Sequence, residues 1–167
     1  MKISGYTFIK NPIKLGYPYI ASIRSILPLV DEFVIALGQC DDGAREHIVA
    51  LNEPKIRIID THWNESMQQR GFVYAQQKLI AQYNCTGDWA FYLEADEVLH
   101  EKDIPTIRAQ CEKHLNNPKI EALVFDYYHF YGTPYQIGIT PNWYRRAPRI
   151  IRNTIRTTTT DGMYFLV

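Results

Sequence analysis

Trp89-Ala90-Phe91-Tyr92-Leu93 runs straight into Glu94-Ala95-Asp96-Glu97. Five apolar residues in a row suit a strand buried on both faces, which is the habit of parallel sheets. Three carboxylates within the next four residues repel one another and are costly to place at a buried strand end. A divalent cation offsets that repulsion. Mg²⁺ takes one or two protein carboxylates and fills its shell with phosphate oxygens and water, and Mn²⁺ also suits oxygen ligands. The competing reading is an acidic loop that caps the helix beginning near Asp103.

Three more strands precede this one. Lys2 to Phe8 carries Ile3, Tyr6 and Phe8. Phe33-Val34-Ile35-Ala36-Leu37 is apolar throughout, and Lys55 to Asp60 is the third. Between them, Ile20, Ile23, Leu27 and Val30 recur at helical spacing, with Pro28 to bend or end the helix. Ala44, Ile48 and Leu51 mark a short helix that Asp41 or Asp42 would cap. Ser66 would cap the next, along which Phe72, Ala75, Leu79 and Tyr83 repeat. Ile104, Ile107, Cys111 and Leu115 define a fourth. Ile120 to Tyr131 is strand-like and aromatic, and Arg149 to Arg152 reads as a last strand. Regular strand–helix alternation predicts an α/β, Rossmann-like sheet, mostly parallel, flanked by helices, with extra strands in the C-terminal part. The 167 residues fit a single domain.

Composition narrows the function classes. Hydrophobic residues make up 46% and charged residues 22%, which excludes a disordered tail or a fibre. Basic and acidic residues number 18 each, and this balance argues against whole-molecule attraction to nucleic acid or membrane. No apolar run approaches the length of a membrane span. Three scattered cysteines, Cys40, Cys85 and Cys111, make neither a disulfide framework nor a zinc pattern. The expectation is a cytoplasmic protein with reduced, mostly buried thiols. The neutral total hides a split: residues 1–126 carry a net charge of −4 and residues 127–167 a net charge of +4. The split suits a site with a metal ion on one side and an anion on the other, and equally two solvated surfaces of opposite sign.

In an open parallel sheet, ligands bind beyond the carboxyl ends of the strands. With that context, Gly87 to Glu97 resembles the metal-motif strand of family 2 glycosyltransferases with the GT-A fold, in which a strand ends in an acid-x-acid motif. Other pieces fall in order. Thr7-Phe8-Ile9-Lys10-Asn11 resembles that family's first strand and its following Asn. Ser22 to Leu27 looks like its first helix, and Asp41-Asp42-Gly43-Ala44 is similar to the end of its second-strand loop. Arg70 stands where the family has an Arg before the helix leading to the metal strand. The resemblance spans roughly residues 3–152.

It implies a nucleotide-diphosphate sugar as donor, Mg²⁺ or Mn²⁺ as cofactor, and inversion at the anomeric centre. Asp96 would be the principal metal ligand, with Glu94 binding directly or through water. Thr7, Phe8 and Asn11 would line the base and ribose pocket, with Asp42 and Arg70 nearby. Residues 1–103 would form the nucleotide-binding half and 104–167 a partial acceptor half. Two departures stand out. Leu37 occupies the place of the family's nucleotide-contacting Asp, and the chain is short of the region that usually supplies the acceptor-side base. A shortened domain is therefore expected, able to bind a donor but completed by a partner such as a second copy. Any base within this chain would be sought among Asp126, His129 and Asp161. The acceptor, whether glycan, lipid or protein, is not indicated.

The stretch Trp143 to Arg152 interleaves aromatics with arginines. Arg145, Arg146 and Arg149 can grip phosphate bidentately and the rings can stack on a sugar or base. At least one of the three is expected to face the cleft that holds Asp96. The same stretch leaves open a non-catalytic module binding glycan or anion, an RNA-binding surface, or a strand whose arginines face water. A sugar-nucleotide pyrophosphorylase would need a Gly-rich cradle after strand one, and Ile9-Lys10-Asn11-Pro12 has no glycine.

Overall fold

The computed structural model describes residues 1–155 and 157–166. The predicted alternation is realised as β1 (Ile3–Ile9), α1 (Tyr19–Ile26), β2 (Glu32–Leu37), α2 (Ala44–Val49), β3 (Ile56–Asp60), α3 (Phe72–Tyr83), β4 (Trp89–Tyr92) and α4 (Ile104–His114). Then come β5 (Ala122–Asp126), β6 (Phe130–Tyr131), β7 (Thr133–Ile137) and β8 (Arg146–Arg152). Among the described residues, six strands form one sheet in the order β3-β2-β1-β4-β8-β5, and β6 and β7 form a separate hairpin. Strands β1 to β4 are mutually parallel, whereas β8 runs antiparallel to both its neighbours. The sheet is the mostly parallel α/β arrangement expected, with the extra strands in the later part. The strand-like stretch 120–131 splits into β5 and β6. No helix among the described residues is long and apolar enough to cross a membrane.

Each face of the sheet has its own core. Ile3, Phe33, Ile35, Trp89, Phe91 and Ile150 meet α1, α2 and α4 through residues such as Ile23, Ile48 and Ile107. On the other face Tyr6, Val34, Ala36, Tyr92 and Ile151 meet α3 through Ala81, with Phe165 packed alongside. Strand β2 is buried over Phe33–Leu37 on both faces, which is why its sequence is apolar without alternation. Gly5 sits opposite both Phe33 and Phe91. A Cβ there would stand 2.6 Å from the Phe33 ring, so only glycine lets that ring cross β1.

Helix α3 begins later than Ser66. Asn64, not Ser66, caps a short 3₁₀ turn by accepting the Ser66 amide at 3.1 Å. Arg70 and Gly71 then take left-handed conformations, with φ of 58° and 74°, and regular helix becomes possible only from Phe72. The buried stripe of α3 also differs from the apolar repeat. Val73, Ala75, Gln77, Lys78, Ala81 and Gln82 are buried, while Phe72 and Tyr83 are exposed.

Strand β8 is secured by its last residue. The Arg152 guanidinium donates to the carbonyls of His114, Leu115, Asn117 and Ile120 at 2.8–3.1 Å and lies 4.5 Å from the Trp89 ring centre. It thereby satisfies the open carbonyls at the end of α4.

Candidate functional site

Strand β1 has β2 on one side and β4 on the other, with α1 and α3 on opposite faces. The chain's winding reverses between β1 and β4, and the crevice beyond their carboxyl ends is where such sheets bind ligands. The β1–α1 loop and the Glu94–Glu97 turn border that crevice. The turn is closed by the Glu97 amide donating to the Glu94 carbonyl at 3.0 Å. Helix α1 anchors it: Ser22 Oγ donates to the Glu94 carbonyl at 2.9 Å, and the Leu99 amide donates to Ser25 Oγ at 3.0 Å.

The three carboxylates have separate fates. Glu97 is buried, with side-chain exposure of 6%. It receives both Nε, at 3.0 Å, and Nη2 of Arg149, and also the Tyr127 hydroxyl. Arg149 Nη2 also reaches Glu94 Oε1 at 3.2 Å. Its guanidinium lies 5.6 Å from the Tyr92 ring centre and 5.4 Å from that of Tyr127. Burial opposes the charge on Arg149, but the Glu97 hydrogen bonds and the charges of Glu97 and Glu94 outweigh it and hold the group protonated. Burial, with the charge and hydrogen bond of Glu97, pushes the Tyr127 phenol far up.

Glu94 and Asp96 are less satisfied. Burial, then the charge of Glu97, lifts the Glu94 carboxyl to about 7 despite Arg149. Asp96 lies at the surface, with no side-chain ion pair among the described residues. Partial desolvation and the charge of Glu97 still raise its carboxyl above the ordinary range. Two underpaired carboxylates suit a cation that completes its shell with phosphate and water. Among the described residues, no cluster of three or more carboxylate, imidazole or thiol groups makes a closed cage.

The other expected residues divide into groups. Phe8 joins Trp63, Tyr74 and Tyr92 in one aromatic cluster, at centroid distances of 5.9, 6.0 and 6.3 Å. Thr7 is buried and its hydroxyl has no hydrogen-bond partner. Asn11, at φ 46°, accepts the Asp41 amide at 3.0 Å. Asp42 accepts the amides of Ile13, Lys14 and Ala44 at 2.8, 3.3 and 3.1 Å. Both residues thus tie the β1–α1 loop to the loop after β2. Arg70 is exposed just before α3. Of the three late arginines, Arg149 stands in the acidic turn. Arg146 makes an exposed pair with Asp126 at 2.9 Å, and Arg145 is exposed.

The base candidates are engaged elsewhere. Asp126 holds Arg146, His129 Nε2 donates to the Tyr144 carbonyl at 2.7 Å, and Asp161 Oδ1 accepts the amides of Met163 and Tyr164.

Sequence reasoning missed Glu97 as the buried partner of Arg149, Tyr127 as its second donor, and Tyr17, whose phenol is raised by burial and by the charges of Asp96 and Glu94. It also missed Lys78, which is fully buried on α3. A lysine one turn from Tyr74 and from Gln82, on the stripe carrying Ala75 and Ala81, was the available signal. Burial first, then the charge of Arg149, lowers its amine to about 7, against the opposing fields of Glu94, Asp161 and Glu97. Between pH 7 and the ordinary value of 10.5 the unfolded chain holds a proton that the folded chain does not, so stability rises with pH across that window. Below it both states are protonated and the full cost of the buried ammonium bears on the fold. Lys78→Met is therefore expected to raise Tm most at about pH 6, by an amount that shrinks toward pH 10. Thermal melts across that range check it, and a pH-independent difference would show that the ammonium is not desolvated.

No family model matches the sequence, and no curated protein matches it. Solved structures do resemble the fold. S. aureus TarS 1–349 in complex with UDP superposes with a TM-score of 0.54 at 16% identity, over 68% of this chain and 33% of that one. The same protein with UDP-GlcNAc gives 0.53 at 15% identity, over 68% and 32%. Glucosyl-3-phosphoglycerate synthase from Mycobacterium tuberculosis with uridine-diphosphate gives 0.51 at 18%, over 78% and 45%. The chain spans about a third of the TarS fragment's length and under half of the synthase's. Sheet order, crevice and these superpositions agree: the chain has the GT-A-type, Rossmann-like fold of nucleotide-sugar glycosyltransferases.

Proposed function

We propose that this chain carries the donor site of a metal-dependent glycosyltransferase that uses a nucleotide-diphosphate sugar. The observation that carries the reading is the division of labour in the acidic turn. Arg149 and Tyr127 absorb Glu97, which leaves Asp96 and one oxygen of Glu94 for a cation at the mouth of the β1–β4 crevice. Asp96 and Glu94 would hold Mg²⁺ or Mn²⁺, which, when bound, supplies charge neutralisation for the leaving diphosphate.

The nucleoside belongs on the α3 side, against Phe8, Tyr74 and Trp63. Arg70 stands at the entrance to α3, whereas Thr7, next to Phe8 on β1, turns its unmet hydroxyl to the opposite, α1-side face of the sheet. Asn11 and Asp42 shape that pocket by holding its two loops together. Arg145 and Arg146 lie at the acceptor side. By family resemblance the acceptor hydroxyl attacks the sugar with inversion. Its base lies outside the groups that Arg146, the Tyr144 carbonyl and the 161–164 turn already engage. The fold neighbours include complexes of TarS and of the synthase with UDP, which supports a nucleoside diphosphate as the ligand class. Fold likeness alone leaves function to the site.

Calorimetry with UDP-, GDP- and ADP-sugars, in Mn²⁺ and in chelator, tests the reading. At least one donor is expected to bind tighter in Mn²⁺ by about tenfold or more. Binding indifferent to metal would favour an anion- or glycan-binding module instead.

A further inference from the structure

Lys78 is 0% exposed, yet its ammonium has no carboxylate within ion-pair distance among the described residues. Nζ donates to the Tyr164 carbonyl at 2.9 Å. It lies 4.3 Å from the Tyr92 ring centre and 3.7 Å from that of Phe165. Of three donors, one carbonyl and two ring faces are a poor replacement for water around a full charge. A methionine would fill the space without that cost. The amine is also placed with a direction. The Tyr92 ring links it to the acidic turn: Lys78 Nζ lies 4.3 Å and the Arg149 guanidinium 5.6 Å from that ring's centre, and Arg149 Nη2 reaches Glu94 Oε1 at 3.2 Å. Lys78 therefore lies below the rim of the crevice, on the side of Glu94.

Its cover is one short loop. The Thr158–Leu166 backbone pair, with both amides donating at 2.8 Å, closes residues 158–166 on themselves. The tip of the loop reaches the nucleoside side. A Cβ on Gly162 would lie 3.2 Å from Tyr74 Cβ and 3.3 Å from Phe8 Cζ, and a Cβ on Gly71 would lie 3.3 Å from Asp161 Cβ. A neutral backbone carbonyl leaves the ammonium without a counter-charge, whereas phosphate oxygens would supply both an acceptor and the opposite charge.

We propose that Lys78 is a diphosphate-binding residue sheathed by residues 158–166, and that donor binding transfers its ammonium from the Tyr164 carbonyl to a phosphate oxygen. The inference rests on the donor reading above. It adds a cation on the α3 side, opposite the metal pair, so the diphosphate is held from two sides. It also requires the loop to shift whenever the donor enters.

The test compares ligands with and without phosphates. UDP, GDP and ADP are titrated in Mn²⁺ by calorimetry, and uridine, guanosine and adenosine by NMR, against wild type and Lys78→Met. The expected result is a loss of about 10- to 100-fold in diphosphate affinity, with nucleoside affinity unchanged and thermal stability not reduced. Undiminished diphosphate affinity overturns the proposal while the donor reading stands. An equal loss for nucleoside and diphosphate also overturns it, because the role would then be structural. If wild type binds none of the diphosphates, the donor reading falls and takes this inference with it. A measurement on wild type avoids misfolding altogether. The Thr158 and Leu166 amides, each bonded to the other's carbonyl at 2.8 Å, are expected to exchange with deuterium at least about tenfold faster when Mn²⁺ and the diphosphate are bound, because the loop must shift. Unchanged exchange at saturating diphosphate ends the proposal.

Discussion

Arg149→Met is expected to destabilise the fold by about 3–5 kcal/mol, the usual consequence of leaving a buried charge without its partner. Arg149 is the counter-ion of Glu97, whose side chain is 6% exposed, and it also reaches Glu94. Methionine would keep most of the packing against Tyr92 and Tyr127 but strand both carboxylates. Urea unfolding of wild type and variant measures the loss. A second substitution, Glu97→Gln, separates the causes. In the double variant the orphaned charge is gone, and a coupling energy of about 1–3 kcal/mol between the two sites is expected. Additive losses would mean that Arg149 acts through packing alone. The same substitution is expected to spread to the metal pair, because Glu94 loses its nearest positive charge.

Asp96→Asn is expected to reduce donor affinity in Mn²⁺ to the level seen in chelator, and to cut any sugar transfer by about 100-fold or more. Asn keeps the size and one oxygen but forfeits the charge that holds a hard cation. The residue is exposed in the turn after β4, so the free energy of unfolding should stay within about 0.5 kcal/mol of wild type. Together the two variants distinguish the acids of one turn. Disturbing Glu97 through Arg149 strikes the fold, whereas changing Asp96 strikes the ligand. A metal response that survives Asp96→Asn would remove Asp96 from the site.

Much of the fold was legible because strands buried on both faces announce themselves as unbroken apolar runs. Residues 33–37 and 89–93 are of this kind, and the segments between them have helical spacing. The acidic turn was legible for the converse reason, as three carboxylates have no business at a buried strand end without compensation. Its internal assignment was not legible. Arg149 lies 52 residues from Glu97 along the chain, and only the insertion of β8 beside β4 brings them together. The basic excess of the last 41 residues was visible as an anion site or a solvated surface. In the structure it is distributed: Arg149 serves Glu97 and Glu94, Arg146 serves Asp126, and Arg152 closes the end of α4. Helix α3 defeated the periodic reading because part of its buried stripe is polar. Gln82 donates to the Thr157 hydroxyl and Lys78 to the Tyr164 carbonyl, so apolar spacing pointed at Phe72 and Tyr83, which face solvent.

The position of β8 sets an order of events during folding. Strands β1 to β4 join neighbours through crossovers within the first 92 residues, and they can assemble as soon as those residues are available. Strand β8 then inserts between β4 and β5, pairing Phe91 with Ile150 and Leu123 with Ile150. Until it arrives, β4 offers an open apolar edge, the arrangement most prone to pairing with another chain. During the same interval Glu94 and Glu97 sit beside that edge without their guanidinium. Their mutual repulsion then acts as a gatekeeper, because a foreign strand docking on β4 would bury two uncompensated negative charges. The strand that brings Arg149 closes the sheet and at the same time gives Glu97 and Glu94 their counter-ion, so the residues that equip the crevice also select the right strand to complete it.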